Sequence, residues 1–217
     1  MKARTILILV GSPRRDGNSS RLASAALDGA LAAGHDAEIQ FIDDYVTSFL
    51  RDCRRCRKAN GDCSIDDRFQ ELFLDKYLPA DGILFATPLY WYGMSGQLKT
   101  FLDRTFCYYA ASCTEGAAHA RAMAEKRLGL LVSSEESYPS ATIGLVHSIQ
   151  EFARYNQCEF AGLVHGIGNR RGDVELDPGN PLEMAERLGA DLFDKHFSDY
   201  RMTSERSGSV WNRSPRD

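Results

Sequence analysis

Two signatures of nucleotide-binding loops are absent. No Gly-Lys-Ser/Thr follows the first glycine-rich turn, so the chain has no Walker-type loop, and Gly-x-Gly-x-x-Gly is missing, so the dinucleotide fingerprint is missing too. No apolar run reaches the roughly 18 residues that a membrane span needs. Histidine is scarce. The five present, His35, His119, His147, His165 and His196, form no metal-ligand spacing. An excess of positive charge is lacking as well: the net charge is −4, which disfavours a nucleic-acid partner. Lys2 and Arg4 precede an apolar run, as in a signal peptide. That run ends in Gly-Ser-Pro-Arg-Arg instead of a small-residue cleavage site, so the expected location is the cytoplasm.

What is present suits one globular α/β domain. The 217 residues are 43% hydrophobic and 26% charged. Thr5 to Val10 is a continuous apolar, β-branched run, the pattern of a strand buried on both faces. Leu22, Ala26 and Ala30, with Leu27 and Leu31, recur at helical spacing just after it. Between them lies Gly11-Ser12-Pro13-Arg14-Arg15-Asp16-Gly17-Asn18-Ser19-Ser20, with Asn18 or Ser19 as candidate N-cap. A loop feeding a helix N-terminus offers free N–H groups and the positive end of the helix dipole. This one adds hydroxyls, an amide and two guanidinium groups, a set that suits a phosphate monoester. An ordinary polar βα loop has the same composition.

The pattern then repeats. Ala37 to Ile42 alternates as an edge strand, Arg68 to Leu78 is helical behind Asp66 or Asp67, and Ile83 to Thr87 is a buried strand. Pro88-Leu89-Tyr90-Trp91-Tyr92-Gly93 forms an aromatic loop, and Leu98, Phe101, Leu102 and Thr105 share a helix face. Leu128 to Val132 is a third buried strand, ending at Ser133-Ser134-Glu135. A helix follows from about Ser140 to Tyr155, with Ile143, Val146, Ile149 and Phe152 on one face. Glu159 to His165 is the last strand, and Gly166 to Asn180 a glycine-rich loop. A final helix carries Leu182, Ala185, Leu188, Leu192 and His196. Asp43 to Asp67 and Phe106 to Glu125 show no clear periodicity. Residues 1–197 are read as the folded domain and 198–217 as a polar tail. Five βα repeats predict a five-stranded parallel sheet of order 2-1-3-4-5, with ligands bound beyond the carboxyl ends of the strands at the β1/β3 switch point.

Three motifs carry a resemblance. Gly11-Ser12-Pro13-Arg14 with Gly17-Asn18-Ser19 comes first; Cys53-x-x-Cys56 with Gly61-Asp62-Cys63-Ser64-Ile65-Asp66-Asp67 comes second. The third runs from Ala80-Asp81-Gly82-Ile83 through Thr87-Pro88-Leu89-Tyr90-Trp91 to Gly96-Gln97-Leu98-Lys99 and Leu102-Asp103-Arg104. In this order and spacing they resemble the NADPH-dependent FMN reductase group of flavodoxin-like proteins, which includes iron–sulfur flavoproteins. The resemblance implies a flavodoxin-like three-layer sandwich and non-covalent FMN. By position, Ser12, Arg14, Asn18, Ser19 and Ser20 would hold the phosphate. Pro88, Leu89, Tyr90, Trp91, Tyr92 and Gly93 would line the ring, and Ser133, Ser134 and Glu135 its other side. On its own the aromatic loop reads as a core or dimer patch; beside a phosphate loop across the switch point it reads as a flavin wall. Further implications are an NADPH or NADH donor, a small-molecule acceptor (flavin, quinone, nitro or azo compound), a homodimer or homotetramer, and no catalytic acid–base residue. The alternative class is a flavodoxin-like electron carrier with protein partners.

The cysteines depart from the iron–sulfur pattern. Cys53 and Cys56 match it, Ala59 stands where a third ligand belongs, and Cys63 fits the fourth. A four-iron cluster needs a thiolate on each iron. The expectation is therefore no cluster and no structural metal.

Overall fold

The computed structural model describes residues 3–50, 57–109 and 112–194. Five strands, β1 (Thr5–Val10), β2 (Asp36–Phe41), β3 (Gly82–Pro88), β4 (Arg127–Ser134) and β5 (Glu159–Ile167), form one sheet. All pairings are parallel and the order is β2-β1-β3-β4-β5. This is the flavodoxin-like arrangement that the alternation of strands and helices predicts.

Side-chain alternation along the strands divides the core in two. Ile6, Ile8, Val10, Leu84 and Ala86 point to one face, where α1 (Asn18–Ala32) and α6 (Pro181–Ala190) pack. Leu7, Leu9, Ile83 and Phe85 point to the other. That face is covered by α2 (Phe69–Glu71), α3 (Gly96–Tyr109) and α5 (Ile143–Tyr155), with Met123 of α4 (Gly116–Met123) packed against them. Each wholly buried leucine or isoleucine contributes about 1.5–3 kcal/mol.

Four local expectations are corrected. Arg68 to Leu78 is not a single α-helix: α2 gives way to a π-helix over Leu72–Tyr77, with the Leu78 N–H donating to the Phe73 carbonyl at 2.9 Å. The rings of Phe69, Phe73 and Tyr77 stack successively at 5.8 and 5.6 Å, and the wider turn keeps all three buried. On α5 the buried stripe is Leu145, Ile149 and Ala153, flanked by Val146 and Phe152 packed against the core; Ile143 is 64% exposed, because at 3.6 residues per turn steps of three drift around the helix and leave Ile143 about 120° from Ile149. Neither Asn18 nor Ser19 caps α1: Gly17 is the N-cap, without a side-chain cap bond, and Asn18 is the first helical residue. The last helix ends at Ala190, though Leu192 stays buried. His196 and the expected tail lie outside the described residues. The unassigned stretch after Phe106 is the end of α3 followed by α4.

A buried ion pair joins the segment before α2 to α3. Both Asp67 oxygens receive the Arg104 guanidinium, at 2.5 and 2.7 Å, and both side chains are almost wholly buried. Asp67 also accepts from the Thr47 and Phe69 N–H groups, and Arg104 donates to the Ser48 carbonyl. Burial pushes the Asp67 carboxyl pKa up, but these bonds outweigh it and hold the group below its ordinary value. Among the described residues, no helix is long and apolar enough to cross a membrane.

Helices α1 and α6 meet backbone to backbone. A Cβ on Gly29 would stand 1.9 Å from the Glu186 carbonyl oxygen, and one on Gly189 2.0 Å from that of Ala26. Gly29→Ala must therefore pry the helices apart and should cost about 2 kcal/mol or more in urea denaturation. Gly96→Ala, where nothing lies within 4 Å of the added carbon, should leave stability unchanged or raise it. Equal stabilities for the two variants would refute the close contact.

Candidate functional site

The loops after β1, β3, β4 and β5 converge on one cleft of about 240 Å³ at the carboxyl end of the sheet. Of the expected residues, Ser12, Arg14, Asn18, Ser19, Pro88, Leu89, Tyr90, Ser133, Ser134 and Glu135 line it. Ser20, Trp91, Tyr92 and Gly93 do not. Gly17, Glu136 and the run Gly168-Asn169-Arg170-Arg171 line it without having been expected. The last run follows the final strand and so lies at the carboxyl ends of the strands, beyond the three loops nearest the switch point.

Short bonds hold the β1 loop in shape. The Gly11 N–H donates to the Ala86 carbonyl at 2.8 Å, tying the loop to β3. Arg14 is clamped through its own peptide groups: its N–H donates to Ser12 Oγ, and its carbonyl accepts from the Gly17 N–H and from Ser20 Oγ. Ser20 thus shapes the loop from behind. Helix geometry leaves the Asn18, Ser19 and Ser20 N–H groups without intrahelical acceptors. The Ser19 hydroxyl lies 2.7 Å from that of Ser133, joining the first turn of α1 to the end of β4. Arg15 turns away, paired with Asp44 and lying over the Phe41 ring at 3.7 Å.

Asn18 takes a different part from the one expected. Its Nδ2 donates to the carbonyls of Gly168 and Arg170, at 3.0 and 2.9 Å, and its Oδ1 accepts from the Gly172 N–H at 2.8 Å. The side chain is committed to the loop after β5. On the β4 side, His165 Nε2 lies 2.6 Å from Ser134 Oγ, which donates to the Glu136 carbonyl at 2.8 Å. With that hydroxyl proton in use, His165 is the donor in the pair. Burial lowers the His165 pKa, keeping the imidazole neutral at pH 7, with Asp177 and Glu136 opposing.

The cleft wall from β3 ends in a hairpin tip. Tyr90 and Gly93 exchange both backbone bonds, at 2.9 and 3.0 Å, and Trp91 and Tyr92 between them have φ of 49° and 60°. Two positive φ values are what a type I′ turn requires, a turn that favours Asn-Gly. Trp91 is 96% exposed, while the Tyr92 ring meets Tyr138 at 6.4 Å.

A buried thiol pair lies away from the cleft. Cys63 Sγ is 3.7 Å from the Arg104 guanidinium, and Cys107 Sγ donates to the Gly61 carbonyl at 3.4 Å. A hydrogen bond with Cys107 is the largest influence on Cys63; burial opposes it, the Ile65 backbone and Arg104 reinforce it, and the thiol pKa falls to about 5. Cys53 and Cys56 lie outside the described residues. Among the described residues, no group of three or more His, Cys, Asp or Glu is arranged to hold a metal.

Comparison with known proteins bears on this cleft. The model of the family described as NADPH-dependent FMN reductase matches residues 4–155. An iron–sulfur flavoprotein of Archaeoglobus fulgidus is 36% identical over 205 residues, covering 93% of this chain and 83% of the relative. A Bacillus subtilis protein named as an NAD(P)H-dependent FMN-containing oxidoreductase is 27% identical over 185 residues, covering 84% and 95%. Among solved structures, an NAD(P)H:quinone oxidoreductase from Methanothermobacter marburgensis superposes with a TM-score of 0.67 at 19% identity, covering 91% of this chain and all of the other.

The tip makes a prediction of its own. An exposed tryptophan at positive φ is strained and contributes no packing. Trp91→Asn should raise the stability of the dilute chain by about 0.5–1 kcal/mol, read as a higher thermal midpoint. A lower midpoint would mean that the indole is already packed against something.

Proposed function

The chain belongs to the NADPH-dependent FMN reductase family, and we propose from that premise that it passes electrons from NADPH or NADH to a small aromatic acceptor, a flavin, quinone, nitro or azo compound. It is an oxidoreductase that uses FMN and NAD(P)H. The observation that carries the reading is the donor set at the β1/β3 switch point. Phosphate oxygens only accept hydrogen bonds. The β1 loop offers the buried Ser12 hydroxyl, the first N–H groups of α1 and the Arg14 guanidinium, which has no ion-pair partner among the described residues. Gly17 keeps the turn tight, since a Cβ there would press to 3.2 Å against Arg14. The residues fit the phosphate of FMN.

Bound there, FMN supplies the redox chemistry between donor and acceptor. The chain supplies position and environment. Ser12, Arg14 and the start of α1 take the phosphate; Ser19 is half of the hydroxyl bridge to Ser133 that fixes the cleft's width. Pro88, Leu89 and Tyr90 form the apolar wall, and Ser133, Ser134 and Glu135 the opposite one. His165 holds the Ser134 hydroxyl so that the β4 loop keeps its shape. No side chain in the cleft has to act as acid or base. Donor and acceptor use the same opening in turn, so the kinetics should be ping-pong.

The exposed apolar surface beside the cleft favours an oligomer, a homodimer or homotetramer. Tyr90, Trp91, Tyr92, Tyr138 and Ile143 are all more than two-fifths exposed. The hairpin tip touches the start of α5, where a Cβ on Gly144 would lie 3.3 Å from the Tyr92 carbonyl. A patch of this kind at a site mouth marks an interface. In this arrangement a neighbouring copy closes the cleft, whose 240 Å³ falls below the roughly 300–1,000 Å³ of a complete ligand pocket.

Two measurements test the reading. Anaerobic NADPH or NADH should bleach the bound flavin within the enzyme's turnover time, and an added quinone should restore the colour; a flavin that neither nucleotide reduces would assign the chain to electron carriage between proteins. Sedimentation at micromolar concentration should give a dimer or tetramer, and a 24.2 kDa species would contradict the interface.

A further inference from the structure

Several arginines crowd the β1 and β5 loops, and their pairing separates them. Arg15 is held by Asp44, Arg21 by Glu175, and Arg171 by Asp16 at 3.2 Å. Arg14 and Arg170 both line the cleft, and neither makes an ion pair among the described residues. Their backbones are tied down in the same manner. The Arg170 N–H donates to Asp173 Oδ2 at 2.7 Å, and its carbonyl accepts from Asn18 Nδ2 and from the Asp173 N–H. The loop is also anchored by the Ile167 N–H to Asp177 and the Gly168 N–H to the Ser134 carbonyl. Such tethering fixes the backbone of Arg170, a residue without an ion pair among the described residues, at the cleft lining.

We propose that the loop between β5 and α6 is a second phosphate-reading element of this cleft, in which Asn18 pins the loop and Arg170 joins Arg14 in holding one phosphate monoester. A phosphate monoester carries about −1.5 to −2 charges at neutral pH, more than one guanidinium neutralises. Arg14 alone leaves it under-compensated, and Arg170 supplies the second charge with two or more directed N–H groups. The loop lies beyond residues 4–155, the part that matches the family model. The proposal rests on the reading of the cleft as a flavin site. Two phosphate monoesters come within its reach, that of FMN and the 2′-phosphate of NADPH.

Binding measurements on the full chain freed of flavin separate the cases. Wild type, Arg14→Ala, Arg170→Ala and Asn18→Ala are titrated with FMN and riboflavin; after reloading, NADPH and NADH are compared. Arg170→Ala should weaken FMN about 10-fold, as one charge-assisted bond implies, with riboflavin unchanged. Asn18→Ala should show a similar loss while keeping the wild-type circular dichroism, and Arg170→Lys should fall between. If both Arg14→Ala and Arg170→Ala leave FMN unchanged but weaken NADPH and not NADH, the shared monoester is the nucleotide's; if Arg170→Ala weakens NADPH alone while Arg14→Ala weakens FMN, the two arginines do not share one phosphate and the proposal fails. The proposal is overturned if Arg14→Ala loses FMN while Arg170→Ala loses neither phosphate, or if riboflavin and NADH weaken equally with their phosphorylated partners. Riboflavin binding to wild type as tightly as FMN would instead overturn the flavin reading itself.

Discussion

The contact between α1 and α6 is the constraint on which the site depends. Gly29 and Gly189 remove the side chains that would separate the two helices, so that backbone rests on backbone. Both helices lie on the same face of the sheet, and both are entered from loops at its carboxyl end. Drawing the helices together draws those loops together. A strand order of 2-1-3-4-5 alone would leave the loop after β5 at the far edge of the sheet. The close contact brings it to the start of α1, where Asn18 can reach Gly168, Arg170 and Gly172.

Around that constraint the cleft is built from hydroxyl and amide bridges. Ser19 meets Ser133, Ser134 meets His165, and Asn18 meets the β5 loop. Each bridge joins different elements, α1 to β4, β4 to β5 and α1 to the loop after β5, so the geometry is set by several elements at once. This is the preorganisation that a bound cofactor needs: the donors are aligned before it arrives, and little ordering is left to oppose binding. The segment before α2 is secured separately, by Asp67 and Arg104. Breaking such a pair leaves a buried charge uncompensated, which costs about 3–5 kcal/mol. Its function is to seat the cysteine-containing segment on α3, where Cys63 shares the guanidinium.

Some features were legible from local pattern because local physics decides them. The apolar runs of β1, β3 and β4 and the Leu22, Ala26 and Ala30 stripe of α1 depend on neighbours in sequence, and the structure keeps them, though Leu27 is only partly buried and Leu31 is exposed. The π-helix at Leu72–Tyr77 was not legible: an α-helix and a π-helix share nearly the same spacing of Phe69, Phe73 and Tyr77, and only packing against Phe101 and Tyr108 selects the wider turn. Ile143 differs for another reason: a repeat of three residues drifts around a helix of 3.6 residues per turn, so the first member of the stripe leaves the face that Ile149 buries.

By itself the sequence determined the fold class, the strand order, the family resemblance and the loop that starts α1, because each rests on periodicity or on residues adjacent in the chain. It also determined that hydroxyls, an amide and guanidinium groups gather there. Only the tertiary structure decided what each of them does. Arg15 goes to Asp44, Ser20 to the Arg14 carbonyl and Asn18 to a loop about 150 residues away, while Arg14 remains at the cleft with Arg170. Composition says which groups can bond; the partner each one takes depends on which segments the folded chain brings within about 3 Å, and that is set by two glycines and a strand order.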